Sequence, residues 1–111
     1  MIIVAVRELV FRSKISAAAE RLGVTVRLAP RSAALQDLVG EADGGIFIVD
    51  LTPAGILDEV RAAKRAGAGR IVGFLGHLQT ELMHEASLAG ADEVLSRGEF
   101  VKRIDDILRA G

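Results

Sequence analysis

Residues Ile46 to Asp50 read IFIVD, four branched or aromatic residues in a row that end in a carboxylate, with Leu51-Thr52-Pro53 directly behind. An apolar run without polar alternation is the pattern of a strand buried on both faces, as in the middle of a parallel sheet covered by helices. Asp50 marks where that strand leaves the core. In open α/β sheets, ligands and chemistry gather outside the carboxyl ends of the strands, so an acid at this point is a candidate site on position alone. The alternative is a polar turn, or a cap for a helix that Pro53 begins. The residues by themselves leave both open.

On the amino-terminal side, Ile2 to Val6 reads as a short β-branched strand. Phe11, Ile15, Ala18 and Leu22 then recur at helical spacing until Gly23. Val24 to Leu28 alternates as an edge strand does, Ser32 is placed to cap a short helix carrying Leu35, Leu38 and Val39, and Glu41 to Gly45 turns into the central run. On the carboxyl side, Pro53 suits a first helical turn, with Ile56, Val60, Ala63 and Gly67 on one face. Arg70 to Leu75 forms a fourth strand that Gly76 breaks. Leu78, Leu82, Ala86 and Ala89 are the buried stripe of a helix ending at Gly90. Glu93 to Leu95 is a fifth strand, Ser96-Arg97-Gly98 a loop, and Phe100, Ile104 and Ile107 the inner face of a last helix. Five strands alternating with five helices, with no linker or repeat, predict an α/β fold with a doubly wound parallel sheet and right-handed crossovers.

The chain has 111 residues, 50% of them hydrophobic, which fills one layered core and predicts a single domain over 1–111. A formal net charge of −1 leaves no whole-chain footprint for nucleic acid, and the absence of Tyr and Trp removes the stacking platform of single-strand binders. Basic residues crowd the first third, among them Arg7, Arg12 and Arg31, and acids follow, a pattern of solvated faces attracting one another. With no cysteine there is no disulfide or thiolate chemistry, in keeping with a cytoplasmic location. Met1 to Val6 is too short for a signal core or a membrane span, so no membrane partner is expected. Arg7-Glu8-Leu9-Val10 follows the first strand where a dinucleotide fold carries its glycine loop, and the serines have no histidine placed to activate them. His77, Glu81 and His84 share one side of the fourth helix and are competent zinc ligands, although a solvated helix flank needs nothing more.

IFIVD ending in Asp50, together with Leu88-Ala89-Gly90-Ala91-Asp92-Glu93-Val94-Leu95, resembles the receiver domain of bacterial response regulators, a flavodoxin-like (CheY-like) fold with strand order 2-1-3-4-5. The resemblance implies a phosphoacceptor at Asp50. It further implies an acid pair after the first strand that holds magnesium, a hydroxyl after the fourth strand that meets the phosphoryl group, and a lysine after the fifth. At the acid pair this chain has Arg7 and Glu8, at the hydroxyl Leu75 or Gly76, and at the lysine Arg97, with Gly98 in place of the usual proline. The resemblance therefore implies a degenerate or pseudo-receiver. Such a protein signals by binding a histidine kinase, an effector or a second copy of itself, and has no catalysis of its own. The family's usual contact face falls on the fourth helix, fifth strand and fifth helix, where Glu81, His84 and Leu88 stand. No cofactor is expected; magnesium, on Glu8 and Asp50, enters only if Asp50 still accepts a phosphoryl group. That phosphoacceptor is the second reading, and a small-ligand or metal sensor using the same cleft is the third. Arg7 is expected to take the metal's place by pairing with Asp50, the alternative being an Arg7 that points to solvent.

Overall fold

The order of elements is β1 (Ile2–Ala5), α1 (Leu9–Leu22), β2 (Val26–Leu28), a 3-10 turn (Leu35–Leu38) running into α2 (Val39–Ala42), and β3 (Ile46–Asp50). It continues with α3 (Ile56–Arg65), β4 (Arg70–Leu75), α4 (Thr80–Ala89), β5 (Glu93–Ser96) and α5 (Arg97–Ala110). This computed structural model describes residues 1–76 and 80–111. All strand pairs are parallel, and the sheet order is β2-β1-β3-β4-β5. The doubly wound sheet and its five helices are as the sequence predicts.

The register explains why the central strands carry no polar alternation. Ile46, Ile48, Val72 and Phe74 face α1 and α5, where they pack with Phe11, Ile15, Phe100 and Ile104. Phe47, Val49, Ile71 and Leu75 face the other way and pack with Leu35, Val60, Ala63 and Ala86. With side chains alternating at a period of two, a strand covered on both faces must be apolar at every position. All five residues of β3, Asp50 included, are buried. On the α1/α5 face, Phe74 is stacked between Phe11 (centroids 5.1 Å apart) and Phe100 (4.6 Å). Such offset pairs add about 0.5–1.5 kcal/mol each beyond the area they bury.

Four local expectations need correction. The helix after β3 starts at Ile56, with Gly55 in a left-handed conformation before it; Pro53 lies in the preceding turn, where its carbonyl accepts the Ile56 N–H. The cause is Leu51, which is 2% exposed and packs against Gly73, where any β-carbon would collide with it, so the chain dips into the core before it can turn helical. Ser32 caps nothing, since the 3-10 turn begins after Ala34 without a side-chain cap. Gly67 lies beyond the end of α3 at Arg65. Finally, Ser96-Arg97-Gly98 is no loop: the Ser96 hydroxyl accepts the Glu99 N–H as an N-cap, and Arg97 opens α5.

Candidate functional site

Four chain segments converge at the carboxyl ends of β1 and β3: the turn after β1 with Arg7 and Glu8, the β2–α2 connection from Ala29, the turn after Asp50, and the start of α5. Asp50 is the one charged side chain among the described residues that is buried, at 6% exposure. Its Oδ1 accepts the Thr52 N–H at 2.9 Å, while Leu51 N–H donates to the Phe74 carbonyl at 3.0 Å. Asp50 therefore fixes the turn and still faces a cleft that it shares with Arg7, Arg12, Arg31 and Glu59. The two readings left open for it in the sequence, site acid and turn former, coexist, although it caps no helix.

Arg7 is exposed and lines that cleft, but it makes no ion pair with Asp50 or any other described carboxylate. The expected Arg7–Asp50 pair is thus corrected. The side chain is exposed, and the carboxylate it was to meet accepts the Thr52 N–H in its own turn. The ion pair at this end of the sheet forms between Arg97 and Glu8, with Arg97 Nη2 donating to Glu8 Oε2 at 2.6 Å. The guanidinium also lies 4.9 Å from the centre of the Phe11 ring, a cation–π contact that extends the Phe11–Phe74–Phe100 stack to the surface. Arg97 Nε is buried with no hydrogen-bond partner. The atom closest to a β-carbon built on Gly76 is this same Nε, at 3.9 Å. Leu75 is buried in the core at 2% exposure, so neither position of the expected hydroxyl presents one.

The groups present do not fit a divalent cation of the magnesium kind, which wants several oxygen ligands. The Glu8 carboxylate is held by Arg97, the other member of the pair is Arg7, and no cluster of three or more acidic, His or Cys side chains suited to a metal occurs among the described residues. Glu81 and His84 are exposed on α4, and His77, the third member of the zinc arrangement, lies outside the described residues. On the same helix Leu88 is 72% exposed, as its helical phase predicts, so the Glu81–His84–Leu88 flank is open to solvent.

Two features had gone unread in the sequence. Arg12, half-buried in the first turn of α1, donates from Nη1 to the carbonyls of Val6 and Ala29, both at 2.9 Å, and so ties the end of β1 to the end of β2. No spacing rule signals a contact made to two backbone carbonyls from different strands. Leu9 and Val10, 67% and 58% exposed, open α1 beside the site. Their run with Arg7-Glu8 hides them from any helical phase.

No protein-family model matches the sequence, and no curated protein sequence matches it significantly. Solved structures do. A response regulator from Burkholderia pseudomallei with a phosphorylated aspartic acid, a calcium ion and citrate superposes with a TM-score of 0.76 at 24% identity. That match covers 96% of this chain and 65% of the other, so the chain spans a little under two thirds of that protein. The signal receiver domain of NarL from Mycobacterium tuberculosis gives a TM-score of 0.77 at 17% identity, over 98% of this chain and 92% of that one. This is the receiver fold. The beryllofluoride-activated NtrC4 receiver domain, solved as a dimer, has it too, at a TM-score of 0.75, 19% identity and coverage of 98% and 96%. At these identities the likeness is one of fold. Among the described residues, no helix is long and apolar enough to cross a membrane.

Proposed function

We propose that this chain is a signalling module of the receiver fold that works by binding another protein, and that its Asp50 pocket operates without magnesium-dependent phosphorylation. The observation that carries this reading is the Arg97–Glu8 bridge. It engages Glu8, the acid of the turn after β1, and joins the start of α5 to that turn. Phosphoryl transfer depends on positioned cations at the acceptor. Here the cations are guanidiniums, and the β4 end offers Leu75 and Gly76 in place of a hydroxyl that would answer to a phosphate. The partner face on this reading is the open flank of α4, with Leu88 as its apolar anchor and Glu81 and His84 beside it. The occupant is an effector, a kinase or a second copy, as in the NtrC4 receiver dimer.

The second reading, phosphorylation of Asp50, has one observation in its favour: the carboxylate lies at the end of β3, facing a cleft, in a chain whose structural neighbours include a protein with a phosphorylated aspartic acid. Intact-mass measurement after incubation with a small-molecule phosphodonor and magnesium separates the two. Wild type should remain unmodified. A phosphoryl adduct that disappears in Asp50→Asn would put the second reading first. For the partner face, Leu88→Asp should leave the thermal midpoint within about 2 °C of wild type, because the position is exposed, yet abolish self-association or partner capture. Loss of folding in that variant, or unchanged association, would remove α4 from the interface.

A further inference from the structure

Helices α1 and α5 lie side by side on one face of the sheet, and the groove between them is lined by Lys14, Ala17 and Arg21 from α1 and by Val101, Ile104 and Asp105 from α5. Its middle is small and apolar. Val101 is 42% exposed there, and Val10, one turn before Lys14 on α1, is 58% exposed. An apolar centre with charged groups at its ends is the composition of a protein–protein contact. We propose that this groove is the docking face for a second copy of the chain, related by a two-fold axis that sets the two α1 helices antiparallel across Ala17.

The charges select the occupant. Lys14 is exposed at one end of the groove and forms no ion pair among the described residues. Asp105 lies at the other end, where Arg21 Nη2 donates to its Oδ1 at 2.7 Å. Arg21 follows Lys14 by about two turns, roughly 10 Å along the helix, so the cation and the carboxylate stand apart within one copy. A partner of a single sign satisfies one end of this groove and opposes the other. A second copy turned end for end satisfies both. Lys14 precedes Ala17 by about one turn, and Arg21, which holds Asp105, follows Ala17 by about one turn, so each copy's Lys14 arrives at the other copy's Asp105. Arg21 occupies Oδ1, which leaves Oδ2 to accept the incoming ammonium. At the axis the exposed Ala17 carries only a methyl group and lets the two backbones approach, with Val10 and Val101 to either side. Such a face is complementary to itself, as a two-fold contact requires. The two helices have 14 residues each, about 21 Å of length, which suits an interface at the low end of the ~1,200–2,000 Å² that specific complexes bury and an affinity on the order of micromolar.

In this dimer the α4 flank stays open, because α4 covers the other face of the sheet, and it is left for a different protein. Sedimentation velocity from about one to several hundred micromolar protein tests the assignment. Wild type should pass reversibly from monomer to dimer over that range. Ala17→Glu, Lys14→Glu and Asp105→Lys should each weaken the dimer at least about tenfold, since like charges then meet across the axis. An equimolar mixture of the Lys14→Glu and Asp105→Lys proteins should recover a mixed dimer, because each supplies the charge that the other has reversed. None of the three positions belongs to the buried core, so thermal midpoints close to wild type verify that the variants fold. A wild type that stays monomeric throughout, a dimer that persists in Ala17→Glu, or a mixture that stays monomeric overturns the proposal. A dimer lost in Leu88→Asp but kept in the three variants places the second copy on α4 and overturns it as well. Loss of capture of a different protein in Leu88→Asp, with the dimer intact, bears on the α4 reading alone and leaves both assignments standing.

Discussion

At the amino ends of β4 and β5 the charged groups are closed into networks. Lys64 Nζ donates to Asp92 Oδ2 at 2.7 Å and to the Gly69 carbonyl at 2.6 Å, and the same Asp92 oxygen accepts the Ile71 N–H. One step along, Glu93 is held by Arg70 and Arg103. At the carboxyl ends of β1 and β3, by contrast, Arg7, Arg12 and Arg31 gather around one cleft without an acidic partner. The two ends use similar groups differently. The lower end closes its charges into pairs, whereas in the cleft Arg12 is tied to the Val6 and Ala29 carbonyls and Arg7 and Arg31 stand exposed. The lower end even spends a backbone position on closure: Gly90, at φ 124°, leaves room for the aliphatic stem of Lys64, which a β-carbon would strike.

If the lower network is structural, breaking it should cost the most and leave the cleft untouched. Asp92→Ala removes the acceptor of both Lys64 and the Ile71 amide, and should lower stability by about 1–3 kcal/mol in chemical denaturation, without altering amide shifts around Arg7 and Arg31. The pH dependence sharpens the test. Burial alone would raise the Asp92 carboxyl, but the Lys64 ammonium and the Ile71 N–H outweigh it and hold the group below its usual value. A depressed folded-state pKa gives stability that is complete above the unfolded value of about 3.9 and is lost as pH falls through the folded one. The gap between wild type and Asp92→Ala should therefore be constant near neutral pH and close only in strong acid. A gap that persists unchanged at the lowest pH where the protein folds would mean that the charge on Asp92 contributes nothing.

The same contrast accounts for what could be read in advance. β3 was legible because double burial leaves a local signature, four apolar residues in succession, and Asp50 was legible as the point where it stops. The exposure of Leu88 followed from helical phase. Misread features were those set by a distant partner. The delay of α3 past Pro53 comes from Leu51 packing against Gly73, and the role of Arg12 comes from the carbonyls of Val6 and Ala29. Glu8 and Arg97 were both recognised as site positions, but their pairing joins residues 89 apart in sequence, a contact that only the folded sheet creates.

That pair is the place where the contrast between the two ends is weakest, because it is an ion pair on the side of the sheet otherwise left open. Its members are 36% and 38% exposed, so water screens it, and its direct worth should be modest. Arg97 has a second attachment through the Phe11 ring. A double-mutant cycle separates the two. Glu8→Ala alone should cost about 0.5 kcal/mol, the scale of a partly exposed pair. Arg97→Ala should cost more, about 1 kcal/mol, because the cation–π contact and the covering of the aromatic stack go with it. The coupling energy between them should stay near 0.5 kcal/mol and shrink in high salt. If coupling instead exceeds about 2 kcal/mol and resists salt, the bridge is stronger than its exposure implies, and the upper end of the sheet is locked as firmly as the lower. A coupling of zero would leave Glu8 free to serve as a cation ligand, returning magnesium and phosphorylation of Asp50 to first consideration.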